Sequence, residues 1–217
     1  MTTAGSAAES LRPLLYGNVP VDEWGPEETA ATGEPWASFA RARAEFHDGH
    51  VDDAVGLWRR IASTSGNESR SILEAWHFLR AAGVAPPIEQ AKVVLGVVAE
   101  MPMESGHDVL AAHRDGSVRY LNFSGKAAVV EPPTTKDVSA AVAAWFRVAE
   151  EIVPNIGPWE EPALPDLPAG NLRVMMLTPS GPHFGQGPAD ALGADPTVGR
   201  FVAAAAVVLH AVTELAT

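Results

Sequence analysis

The apolar residues of this chain change their period near Lys92, and that change limits the folds open to it. Before it, large apolar residues recur every three or four positions, which lines them along one face of a helix. After it come short β-branched runs broken by Asp-Gly and Ser-Gly pairs, the pattern of strands joined by tight turns. The expected fold class is α+β: an N-terminal three-helix unit packed on an antiparallel meander that is covered by C-terminal helices.

Residues 1–10 read as a frayed tail, and 1–35 as an irregular N-terminal segment. Pro13, Gly17, Pro20, Gly25, Pro26, Gly33 and Pro35 forbid a long helix there, while Leu14, Leu15, Tyr16, Val19, Val21 and Trp24 give the segment apolar surface to lay on a core. A helical unit follows over 36–91. Its first helix carries Trp36, Phe39 and Phe46, its second Ala54, Val55, Trp58 and Ile61, and its third Ile72, Leu73, Trp76 and Leu79, ending at Gly83. The remaining α+β unit, 92–217, begins with the run 93–99. Two further runs flank Asp115-Gly116, where a hairpin is expected with His113 across from Val118, and a fourth follows Ser124-Gly125-Lys126. An amphipathic helix is predicted over 135–153, then a proline-rich covering loop over 154–170 and a fifth strand over 172–178. A Gly/Pro-rich loop is expected over 178–188, and a last helix over 196–216, apolar on every side over its middle turns and so expected to be buried. No Ser-rich linker separates the halves, so they are expected to pack as one compact body.

The formal net charge of −12 opposes binding to nucleic acid, which requires a basic surface to displace counterions, and opposes an anionic membrane surface for the same reason. With no cysteine, disulfides, thiolate catalysis and Cys-based metal sites are excluded. No apolar run approaches the roughly 20 residues a spanning helix needs, and Met1 to Ser10 lacks the basic and apolar regions of a signal peptide. These features point to a cytoplasmic protein with no cofactor, whose partner is another protein, and with neither nucleic acid nor membrane as partner.

Residues 36–64, through Phe39, Ala42, Phe46, Gly49, Ala54 and Trp58, resemble a tetratricopeptide-type helical hairpin. Such a resemblance implies close helix approach at Ala42 and Ala54. Ile61 departs from the pattern where a small residue is usual, and Gly66 where a proline is. The stretch from Asp108 to Lys126, with Arg119-Tyr120-Leu-Asn122, and the stretch from Leu177 to Gly187, with Thr-Pro-Ser180-Gly-Pro-His183-Phe-Gly-Gln186, resemble those of an uncharacterised bacterial protein family. That resemblance implies a common fold and transfers no functional residue.

Candidate chemistry is sparse. His47 and His50 have a metal-ligand spacing with Asp48 and Asp52 beside them, yet they flank a turn at Gly49 and read equally as solvated turn residues. Ser180 and His183 suggest a nucleophile and its base, although the Gly-x-Ser-x-Gly elbow is absent and no Lys follows the glycines as in a phosphate-binding loop. His113, Tyr120 and Gln186 are candidate ligand-binding residues, the first two on the expected hairpin with His107 and Arg119. The leading expectation is a non-enzymatic interaction or accessory protein of the immunity or adaptor kind. The alternative is a small hydrolase or small-ligand-binding enzyme built on the 178–188 loop.

Overall fold

A computed structural model describes residues 12–21, 33–161 and 163–215. Trp24 and the expected tail at 1–10 lie outside the described residues. A short helix, α1, occupies 12–16 within the segment expected to be irregular. It is followed by α2 (Trp36–His47), α3 (Val51–Ser63), α4 (Ser69–Ala81) and the single turn α5 (Ile88–Ala91). The strands are β1 (Gly96–Met103), β2 (Gly106–His113), β3 (Val118–Leu121) and β4 (Ala127–Val130). Helix α6 (Lys136–Ile152) leads through a 3₁₀ turn into the covering segment, and then come β5 (Asn171–Thr178), β6 (Gly181–Pro188), α7 (Ala189–Ala194) and α8 (Val198–Glu214).

The sheet has six strands in the order β4-β3-β2-β1-β5-β6, each pair antiparallel. Strand alternation sorts its residues onto two faces. Val97, Ala99, Leu110, Ala112, Val174 and Met176 meet Trp145, Phe146, Phe201 and Val208 of α6 and α8. On the opposite face, Val98, Val109, Ala111, Met175 and Leu177 meet Leu15 and Tyr16 of α1 and Leu73 of α4. The protein is thus an α+β fold of three layers, with the sheet in the middle.

Helix α3 is amphipathic. Asp52 and Asp53 in its first turn suit the positive end of the helix dipole, and Ala54, Val55, Leu57, Trp58 and Ile61 are buried. Ala42 of α2 and Ala54 of α3 have no exposed surface, so the two helices meet through small side chains. Helix α4 serves two cores at once: Ala75, Trp76, Phe78 and Leu79 complete the helical one, while Leu73 belongs to the sheet face. The β2–β3 turn also reaches over to start α4. Asp115 Oδ2 accepts the Ser69 amide proton at 2.7 Å, and Ser69 Oγ accepts that of Asp115 at 3.0 Å. After α1 the chain turns at Gly17, φ +61°, directly on α4, where an added Cβ would come within 2.5 Å of Leu73 Cβ.

Three expectations need correction. Residues 181–188 form a strand rather than a loop, paired with β5 from Thr178↔Gly181 to Asn171↔Pro188. Pro182 and Pro188 are tolerated because β6 is the last strand of the sheet, with a ladder on one side only. At the Asp115-Gly116 turn, Val118 pairs with Ala112, and the His113 amide bonds Ser117 O instead. Helix α8 buries only Phe201, Ala205, Val208 and Val212, and Val207 on its outer side is 58% exposed.

Candidate functional site

The β5–β6 turn is two residues long, Pro179 and Ser180, and it brings Ser180 and His183 together. Ser180 Oγ lies 3.1 Å from His183 Nε2, and His183 Nδ1 lies 3.1 Å from the Ile156 carbonyl oxygen. A carbonyl can only accept, so Nδ1 carries the proton, Nε2 holds a lone pair, and the serine hydroxyl donates to it. Burial, together with the nearby Lys92 ammonium, lowers the His183 pKa against the pull of the Ile156 carbonyl, which keeps the ring neutral. This is the polarity of a nucleophile–base pair. The surroundings tie it down, however. His183 is fully buried, the Ser180 amide donates to Ala91 O, Thr178 Oγ1 sits 2.9 Å from Ser180 Oγ, and Lys92 Nζ shares the Ile156 carbonyl at 2.9 Å. Of the hairpin's residues, Thr178, Gly181 and Pro182 line one flanking cavity and Pro182 the other.

A larger space opens at the far end of the sheet's α1 face. A cavity of about 440 Å³ lies among Arg12, His107, Arg173, the β1–β2 turn and the covering segment at 164–167. Two of its lining residues belong to an ion triad: behind them Glu100, with no exposed surface, receives Arg173 Nη1 on Oε1 at 2.9 Å and faces Arg12 Nη2 from Oε2 at 3.4 Å. Register explains the meeting, because Glu100 of β1 is the direct partner of Arg173 on β5. Arg173 is held further by Gln186 Oε1, at 2.9 Å from its Nε and 2.7 Å from its Nη2, and by Pro165 O. Gln186 Nε2 in turn donates to Asp166 O at 3.1 Å. The Tyr16 hydroxyl lies close behind, and burial, reinforced by the Glu100 charge, pushes its pKa well above 10. Arg12 is less occupied. Its Nε is buried with no hydrogen-bond partner among the described residues.

Gln186 is therefore the sequence candidate that touches this site, as a brace for Arg173. His113 is elsewhere on the same face: it is fully buried, its Nε2 donates to Leu15 O at 2.9 Å, and burial lowers its pKa to about 4. Tyr120 is on the other face, packed on the α6–α8 core, with its hydroxyl bonded to Asp108. His47 and His50 sit at the exposed α2–α3 turn, where His50 Nδ1 is 3.0 Å from Glu45 Oε2. Among the described residues no group of three or more His, Asp or Glu is arranged to hold a metal ion, and no helix is long and apolar enough to cross a membrane. Sequence reading missed Arg12, Glu100 and Arg173. The available signal was one acid and one base, each isolated inside an apolar strand, since buried charges of opposite sign occur as pairs.

No protein-family model, curated protein or solved structure matches this chain.

Proposed function

We propose that this is a non-enzymatic binding protein, an accessory component that recognises its partner or ligand through the cavity beside Arg12 and Arg173. The supporting observation is the Arg12–Glu100–Arg173 triad, two guanidinium groups sharing one fully buried carboxylate at a cavity wall. Guanidinium is a poor proton shuttle but a good fixed fork for an oxyanion, so such a wall suits holding over reacting. A volume of about 440 Å³ falls within the usual range of small-ligand sites. In an accessory protein the occupant is a small molecule or a short protruding group of a partner protein.

One observation favours a second reading, a hydrolase, namely the Ser180–His183–Ile156 chain with its proton on Nδ1. Two measurements on the intact protein separate the readings. For the binding reading, a thermal-shift screen of small ligands yields stabilisers that act equally on wild type and Ser180→Ala, and a fluorophosphonate probe leaves Ser180 unlabelled. Stoichiometric labelling that disappears in Ser180→Ala would transfer the assignment to the hydrolase.

A further inference from the structure

Resting on the binding reading, we infer that the cavity takes a small monocarboxylate, held on the guanidinium of Arg12 beside His107. Arg173 is not the free fork. Its Nε and Nη2 are bound by Gln186 and Pro165, and one Nη1 proton goes to Glu100. Among the described residues Arg12 makes only the looser 3.4 Å ion contact to Glu100, its Nε is buried without a partner, and its side chain, 25% exposed, lines the cavity. A planar carboxylate meets such a fork with two parallel hydrogen bonds. His107 also lines the cavity, but its Nε2 proton goes to Asn171 O at 3.1 Å, so the neutral ring offers the carboxylate no second donor and serves as a reporter beside it.

Charge decides between oxyanions. Two guanidinium groups against one carboxylate leave a single net positive charge in the wall, and Asp166 adds a carboxylate at the rim. The single positive charge at the wall suits one negative charge, and the rim carboxylate repels the second charge of a phosphate dianion or a dicarboxylate.

The test titrates the full chain with butyrate, succinate, inorganic phosphate, butylammonium and butyramide. It follows the His107 ring-proton resonance, assigned by its loss in His107→Gln, together with the heat of binding. Butyrate is expected to saturate the His107 shift at one per chain, and the other four to be at least about tenfold weaker. Arg12→Gln should weaken butyrate by about the same factor, while Arg200→Gln, whose side chain pairs with Glu151 on the outer surface, leaves it unchanged. If phosphate or butyramide moves the resonance as butyrate does, or butyrate binds Arg12→Gln undiminished, the carboxylate assignment is wrong and the binding reading stands. If no probe moves it, the carboxylate inference falls, and the binding reading is decided by the thermal-shift and labelling measurements. The wild-type series decides the matter even where Arg12→Gln fails to fold.

Discussion

Trp58 is the residue around which the helical unit is organised. Its ring centroid lies 5.6 Å from that of Phe46 on α2 and 5.3 Å from that of Phe78 on α4, and 1% of its surface is exposed. Its helical spacing from Ala54 and Ile61 made this burial legible in the sequence, because three- and four-residue steps fall on one face. Truncation to Ala should cost about 3–5 kcal/mol, the range for a large aromatic removed from a core. Denaturant unfolding measures that loss, and an unchanged midpoint would mean that the three helices do not close on this ring. Ser180 and His183 were equally legible as a pair. What the sequence did not disclose was the company they keep: Thr178 is a near neighbour, but Ala91, Lys92 and Ile156 arrive from other elements. Those contacts use up the hydrogen-bonding capacity that an open nucleophile needs.

Element type was readable where period and turn chemistry agreed. It failed at β6, where three glycines and two prolines between 181 and 188 carry no alternating apolar pattern. Pairing with the strongly apolar β5 imposes the extended conformation, and the edge position lets the prolines stay. The glycines then separate by backbone conformation. Gly181 has φ +122°, whereas Gly185 has nothing within 4 Å of an added Cβ and no positive φ. Gly181→Ala should therefore destabilise by about 1 kcal/mol or more, and Gly185→Ala should be neutral within about 0.5 kcal/mol. Parallel melting curves check the contrast, and equal losses would remove the conformational explanation. Helix α8 misled in the opposite sense. Its apolar residues surround the helix, but α6 shares the same sheet face, so only one side of α8 finds cover.

Across the whole molecule, buried ionisable groups set how stability follows pH. Glu74 of α4 has no exposed surface and accepts the Val19 amide proton at 3.2 Å, which fastens the 12–21 segment to the helical unit. Burial raises its pKa from 4.5 to about 9, against the pull of the Val19 amide and Arg80. Between those values the folded chain keeps a proton that the unfolded chain has lost, so stability falls as pH rises, by up to about 1.4 kcal/mol per pH unit. His77 and His113 act on the acid side. Burial lowers each from 6.5 to about 4, so the unfolded chain takes up protons first and stability falls as pH drops through that window. Stability should peak near neutrality, and Glu74→Gln should remove the decline between pH 7 and 9. Melting temperature against pH tests this, and an identical alkaline slope in Glu74→Gln would show that another group is responsible. By itself the sequence determined the local terms: the amphipathic helices of the N-terminal unit with their buried faces, and the meander with its Gly-bearing turns. These follow from interactions between residues a few positions apart. The tertiary structure alone decided that β5 inserts beside β1, that Glu100 therefore meets Arg173, and that Arg12 joins them at a cavity. Contacts between groups 73 residues apart in the chain leave no periodic trace in the sequence, because they depend on strand order and register, which only the packed sheet fixes.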